Sequence, residues 1–405
     1  MIPKVSIIIP IYNVENYVVE CLQSVADQTF SEIQVICIDD ASTDNSYEVA
    51  KRFIDSDSRF ELIQLSENKG LSFVRNRGME SAKGKYLYFL DSDDYLEINA
   101  MEVLFSYAEE KNLQGVFCGS KVIYENEKKV RWEMGYRKFS NQVCTGKQFF
   151  IKANDENEYY NAVWMQFWKR EYIIDHSFKF YEGIFHEDIL YSLQILLDAD
   201  RVVCINENLH IYRKRKGSIT DNHGITQVKS YMIVYYEVLK LWMNMGCQKE
   251  IGEGIKKRLN LFHRRIYMTL RENGNILNIE FEDEACNYLY KKLAVTVPEY
   301  EYIEGIDEEI EQCIDSFSGV IVYGAGLVAN EVISLLEKKH KNIIGVAVTH
   351  KKEQDYFMGY PIYELEEMKE YIDTAIIVLA TSSNYHKEII EHISKKGFSN
   401  YIIMK

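Results

Sequence analysis

Three carboxylates stand within four positions in "FLDSDD": Asp91, Asp93 and Asp94. They follow "KYLYFL", an apolar run that predicts a buried strand. A second acidic pair, Asp39 and Asp40, ends the apolar run "IQVICID". Like charges this close repel, so gathering them in one crevice is costly unless a cation or a set of donors fills it. The ligand set is all oxygen, which favours Mg²⁺ or Mn²⁺ over zinc or copper. Such an ion, held by one or two carboxylates, completes its shell with water and substrate phosphates. Either acidic run alone is equally an ordinary turn or helix cap. Downstream, His186, Glu187 and Asp188 open a helix-periodic segment. A carboxylate there suits a general base, although helix N-termini favour acids anyway. Basic residues follow in "YRKRKGSIT", where Arg213, Arg215 and flexible Gly217 suit closure over a diphosphate. A solvated basic loop is the plain alternative.

The elements that must position these groups are legible up to about residue 110. "KVSIIIPI", "IQVICID", "FELIQL" and "KYLYFL" predict four strands. "VENYVVECLQSVADQ", "STDNSYEVAKRFID" and "GLSFVRNRGMESA" between them predict helices. Ser42, Thr43 and Asp44 are expected as N-cap residues of the second. This alternation predicts an α/β fold with a mostly parallel sheet covered by helices, and ligands beyond the carboxyl ends of its strands. Both acidic runs fall at that edge, which a chance pair of caps would not require.

The 405 residues allow two or three domains. A net charge of −15 argues against a general nucleic-acid binder. Eight scattered cysteines show no C-x-x-C pair, so neither a zinc site nor a disulfide framework is expected. No apolar run reaches a membrane span and no cleavage signal is evident, so a cytoplasmic setting is expected.

The series "VSIIIPIYN", "VICIDDASTDNS" and "NKGLSFVRNRGMESAKGKYLYFLDSDD" resembles the nucleotide-sugar-binding half of family 2 glycosyltransferases, inverting enzymes of the GT-A fold. The resemblance implies a nucleotide-sugar donor, most often a UDP-sugar, and Mn²⁺ or Mg²⁺ as cofactor. It implies that Pro10 and Tyr12 line the donor site, with Tyr12 stacked on the base. Asp40 would bond the base, supported by Asp39, and Arg75 would lie near it. Asp91 and Asp93 would form the D-x-D pair, with Ser92 between them, Asp91 near the ribose or sugar and Asp93 on the metal. Asp94 would orient the sugar or the metal shell. "HED" resembles the family's acceptor-face element, with Asp188 as base, Glu187 beside it and His186 on the acceptor side. Trp164 offers a flat face to an acceptor sugar, whereas Trp168 is expected in the core.

Residues 1–221 are therefore expected to be the transferase domain, its donor half ending near 110. Residues 222–318 should be a mainly helical linker region. Five cations on one helix there, Lys256, Lys257, Arg258, Arg264 and Arg265, suit a peripheral contact with an anionic membrane presenting a lipid-linked acceptor. A solvated face is the alternative. Residues 319–405 look like a Rossmann-type domain, with Gly324, Gly326 and Ala329 fitting G-x-G-x-x-A between strand and helix. Thr349-His350-Lys351-Lys352 stands where a dinucleotide ribose wants an acid, so an accessory role is expected. The partners expected are a nucleotide-sugar donor and a glycan or lipid-linked acceptor, with no nucleic acid and with room for a homodimer. The rival readings are a non-catalytic sugar-nucleotide scaffold and a nucleotidyltransferase. The second would want a basic Gly-rich loop after strand one, which "PIYNVENY" lacks.

Overall fold

A computed structural model describes residues 3–125, 129–215, 224–272, 279–295, 308–351, 355–381 and 386–403. Gly217 and Lys352 lie outside the described residues. The chain divides into two compact units, residues 1–259 and 260–405.

The first unit opens with β1 (Val5–Ile11), α1 (Val18–Ala26), β2 (Ile33–Asp39), α2 (Ser46–Ile54), β3 (Phe60–Gln64), α3 (Leu71–Ser81) and β4 (Tyr86–Phe89). β5 (Tyr95–Leu96), α4 (Ala100–Glu110), β6 (Gly115–Tyr124), β7 (Trp132–Met134) and α5 (Gly146–Asp155) come next. β8 (Gln166–Lys169), α6 (Arg170–Asp175), α7 (Glu187–Asp198) and β9 (Val202–Lys214) complete the sheet. The strand order is β3-β2-β1-β4-β8-β6-β9-β5, with β7 beside β6. β1 to β4 pair in parallel, as their unbroken apolar runs predict. The remainder is mixed: β8 is antiparallel to β4 and β6, whereas β6 and β9 are parallel. Val5, Ile7, Ile9 and Ile11 of β1 pack under Val18, Cys21, Leu22 and Val25 of α1. That packing stiffens the edge at which the acids emerge. Trp168 is buried, as expected, and donates its Nε1–H to Gln166 Oε1 at 2.9 Å.

One expectation about local structure changes in part. α2 starts at Ser46, whose N–H donates to Asp44 Oδ1 at 2.9 Å, whereas Ser42 and Thr43 lie before the helix and reach sideways with the second Asp44 oxygen. Asn13 N–H donates to Ser42 Oγ at 3.2 Å, Glu15 N–H to Asp44 Oδ2 at 3.1 Å and Thr43 N–H to Asn13 Oδ1 at 2.8 Å. Short polar side chains compete for backbone partners in this way. Here they lace the loop after β2 to the loop after β1.

α8 (Ile225–Asn244) and α9 (Lys249–Glu272) follow, and the division between units falls inside α9. The five α9 cations do not form one outward face. Arg258 lies 5.3 Å over the ring of Tyr159. Arg264 is buried against Glu331 at 2.7 Å, and Arg271 meets Glu337 at 2.8 Å. Helical spacing alone cannot reveal such pairing. Among the described residues, no helix is long and apolar enough to cross a membrane.

The second unit also holds α10 (Glu284–Leu293), α11 (Glu308–Asp315), β10 (Gly319–Tyr323), α12 (Leu327–Lys338), β11 (Ile343–Val348), β12 (Tyr356–Phe357) and β13 (Tyr360–Glu364). β14 (Ala375–Leu379), α13 (His386–Lys395) and β15 (Tyr401–Ile403) end it. Its order is β12-β13-β11-β10-β14-β15, with all but β12 parallel. The parallel strands follow the 3-2-1-4-5 order of a Rossmann half. Gly324 turns the chain at φ 120°, where a Cβ would sit 2.7 Å from the Ala380 carbonyl.

Candidate active site

The carboxyl ends of β1, β2 and β4 carry the donor-side groups side by side, because the strands are in register there. Ile11 pairs with Asp39, and Asp40 N–H donates to the Ile11 carbonyl at 2.9 Å. Pro10 is buried within β1, opposite Ile38. Tyr12 projects from its end, 46% exposed. Asp39 is fully buried, with Oδ2 accepting from Ser42 N–H at 3.3 Å. Asp40 is also buried, and it accepts from Lys69 N–H at 2.7 Å and Gly70 N–H at 2.8 Å. Its charge thus sits on the N-terminus of α3, where helix dipole and free N–H groups both favour an anion. Gly70 makes this approach at φ 86°, a conformation costly for other residues.

The acids after β4 divide into three environments. Asp91 pairs with Arg75 Nη2 at 2.7 Å and keeps part of its side chain exposed. Ser92 beside it is buried. Asp93 pairs with Arg215 Nε at 2.7 Å, and burial, reinforced by Asp91, raises its pKa. Asp94 is wholly buried and bonds His210 Nε2 at 2.9 Å. It also accepts from Arg213 N–H at 2.7 Å.

The protonation of this last pair follows from its neighbours. Tyr88 donates its hydroxyl hydrogen to the Trp164 carbonyl. His210 Nδ1, 3.1 Å from the same hydroxyl, must therefore supply the hydrogen between them. Burial raises Asp94 well above the usual carboxylate range and lowers His210 to about 3. Through His210 and the Arg213 N–H, Asp94 ties the acidic loop to β9.

Arg213 and Arg215 converge on the same loop. Arg213 bonds Glu20 and donates its Nε–H to the Asp93 carbonyl at 2.9 Å. Its guanidinium lies 5.3 Å from the ring of Tyr17, and that of Arg215 lies 5.2 Å from it. Tyr17, Glu20 and His210 were not singled out from sequence. Tyr17 and Glu20 carry no motif, and His210 meets Asp94 across 116 positions.

On the acceptor side, Arg75 is the hinge of the constellation. It is buried and bonds Asp91 with one terminal nitrogen and Glu187 with the other. Asp188 follows in the first turn of α7, half-buried. Burial raises its pKa to about 7, Glu187 adds to the rise and Arg75 opposes it. Glu187 is raised by burial as well, against the pull of Arg75. A carboxyl near 7 is matched to taking a proton at neutral pH. His186 caps α7 in the left-handed region, φ 61°, with its ring stacked 4.4 Å from that of Tyr231. Trp164 is only 8% exposed and stacks on His210 at 4.4 Å and Tyr212 at 5.3 Å. Most of its flat face is therefore used inside the protein.

The donor set suits a hard cation. Asp91 and Asp93 offer oxygen only, and each is partly accessible. Among the described residues, no cluster of three or more ligating side chains could hold a metal. An ion there would need water and phosphate oxygens to complete its shell, the usual arrangement for Mg²⁺.

Residues 6–172 match the model of glycosyl transferase family 2. The glycosyltransferase YibD of Escherichia coli K12 is 31% identical over 303 residues, covering 73% of this chain and 88% of that protein. The chain belongs to glycosyltransferase family 2. The Bacillus subtilis glycosyltransferase EpsJ is 35% identical over 224 residues, which span 55% of this chain and 64% of EpsJ. Among solved structures, Staphylococcus aureus TarS residues 1–349, in complex with UDP-GlcNAc, superimposes with a TM-score of 0.52. That match is 21% identical and covers 71% of this chain and 79% of the TarS chain, so it carries the GT-A fold alone. Residues 317–404 match a separate family, C2185-like N-terminal. The α/β expectation and the family resemblance both hold.

Proposed function

We propose that this family 2 chain transfers a sugar from a UDP-sugar to a growing surface glycan, with inversion at the anomeric carbon. The observation that carries this reading is the Arg75 bridge. It joins Asp91, at the donor edge, to Glu187, beside the raised Asp188. Tyr12 would stack on the base, with Asp40 and Asp39 shaping the pocket behind it. The acceptor hydroxyl attacks the anomeric carbon while that carbon's bond to the diphosphate oxygen breaks. Asp188 takes the hydroxyl proton, and UDP leaves with the electron pair. Mn²⁺ or Mg²⁺ on Asp91 and Asp93 would neutralise charge on the departing diphosphate. Arg213 and Arg215, at the end of β9, contact the same acidic loop and would add to that neutralisation. EpsJ and YibD bear glycosyltransferase names, and TarS binds UDP-GlcNAc, which supports a UDP-sugar here. A lipid-linked acceptor fits the same chemistry, although Arg258 and Arg264 are spent inside the protein and support membrane contact less than their spacing suggested.

Two outcomes follow. UDP binding measured by calorimetry should weaken at least about tenfold when EDTA replaces Mn²⁺, because two carboxylates cannot hold a diphosphate unaided. Equal affinity in both would remove the metal from the account. Transfer should rise with pH through about 7, roughly tenfold per unit below it, because only ionised Asp188 accepts a proton. A rate flat from pH 5.5 to 8 would show that Asp188 does not titrate in catalysis.

A further inference from the structure

Tyr17 immediately precedes α1, and its ring meets the two cations at the end of β9. The guanidinium of Arg213 lies 5.3 Å from the ring centre and that of Arg215 lies 5.2 Å from it. Both side chains reach the acidic loop. Arg213 Nε–H donates to the Asp93 carbonyl at 2.9 Å, and Arg215 Nε–H donates to Asp93 Oδ2 at 2.7 Å. Two guanidinium groups drawn to one residue repel each other, so something must hold them together. Arg213 has a carboxylate partner on α1, Glu20, but that side chain is 57% exposed and water screens the pair. Arg213 also lies 5.4 Å from the ring of Tyr95. The Tyr17 ring is the group that both cations share.

A ring holds a cation in a way that a carboxylate does not. The quadrupole attracts the charge, yet it neither neutralises it nor consumes an N–H donor. Among the described residues, Arg213 Nη1 and both terminal nitrogens of Arg215 make no hydrogen bond. Three donor nitrogens are thus left for an oxygen anion, beside the loop where the departing diphosphate would stand. The planar fork of a guanidinium matches phosphate oxygens. Tyr17 is itself fixed at two points. Its hydroxyl donates to the Glu125 carboxylate, just past β6, and its ring packs on the core beneath α1.

We propose that Tyr17 is a positioning residue, whose ring clamps Arg213 and Arg215 beside the acidic loop with donors free for the β-phosphate of the nucleotide. This rests on the reading of both arginines as diphosphate ligands. The test is calorimetry of UDP and of UMP, which lacks the β-phosphate, on the full chain with Mn²⁺. Tyr17→Leu should weaken UDP about tenfold and leave UMP within about twofold. Tyr17→Phe keeps the ring and should retain most of the UDP affinity. Tyr17→pentafluorophenylalanine keeps that shape but reverses the quadrupole, and it should lose UDP affinity as Tyr17→Leu does. A ring that merely packs would not register the fluorines. With Arg213→Met and Arg215→Met already in place, Tyr17→Leu should cost less than about twofold more, because the groups it acts through are gone. Equal loss of UMP and UDP, full affinity with the fluorinated ring, or an undiminished further loss in the double-methionine background would each overturn the proposal. Wild-type protein that binds UDP no more tightly than UMP would strike the diphosphate reading of the arginines and the clamp with it. A preference for UDP that ignores Tyr17→Leu would strike the clamp alone.

Discussion

Asp188→Asn should abolish transfer while leaving UDP affinity within about twofold of wild type. The amide matches the carboxyl in size and still hydrogen-bonds, but it cannot take a proton near neutrality. Loss of a general base is worth about 10²–10⁴-fold. The same substitution should raise stability at pH 8. Burial lifts Asp188 from 3.8 when unfolded to about 7 when folded. Between those values the folded chain binds a proton that the unfolded chain does not, so stability falls as pH rises through the window. Above pH 7 the ionised group costs up to about 4 kcal/mol, which the neutral amide relieves. A variant that is inactive, donor-competent and stabilised more at pH 8 than at pH 5, with no gain left near pH 3, would carry all three marks of a strained base. Glu187→Gln is the control. An active Asp188→Asn beside a dead Glu187→Gln would move the base by one residue.

Arg75→Met should be the most disruptive single change in the site. It leaves Asp91, Glu187 and Asp188 facing one another without the guanidinium that holds them. Removing one partner of a buried ion pair costs about 3–5 kcal/mol. Urea denaturation should show that loss. Surviving activity should move its acid limb above pH 7, because a lost cation raises neighbouring carboxyls. Arg75→Lys should fall between, keeping the charge but losing the fork that spans two carboxylates. Wild-type stability and an unmoved pH profile in Arg75→Met would mean that the bridge positions nothing.

Much of this architecture was legible in the chain itself. Apolar runs, β-branched in β1 and aromatic in β4, marked β1, β2 and β4 as buried strands, and that placed Asp39, Asp40, Asp91 and Asp93 at one edge. Helical spacing after "HED" likewise put Glu187 and Asp188 in a first turn. What stayed hidden was long-range pairing. Arg75 lies near the base by resemblance, yet its guanidinium spans Asp91 and Glu187, 16 and 112 positions away. Asp94 would orient the sugar or the metal shell by resemblance, but it is wholly buried and bonded to His210, 116 positions away. Trp164 has the type of a sugar platform, and only the stack on His210 and Tyr212 shows its face to be taken. The cations of α9 share a helix, but Glu331 withdraws Arg264 inward. In each case local pattern fixes where a side chain starts, and a distant partner decides what it does.

The most direct test of the central claim is incubation of the full chain with a panel of nucleotide sugars and Mn²⁺, following release of nucleoside diphosphate. One UDP-sugar should release UDP well above the background of the Asp188→Asn variant, and the transferred sugar should show the opposite anomeric configuration by proton NMR. Release from no sugar nucleotide, or a product of retained configuration, would contradict the account.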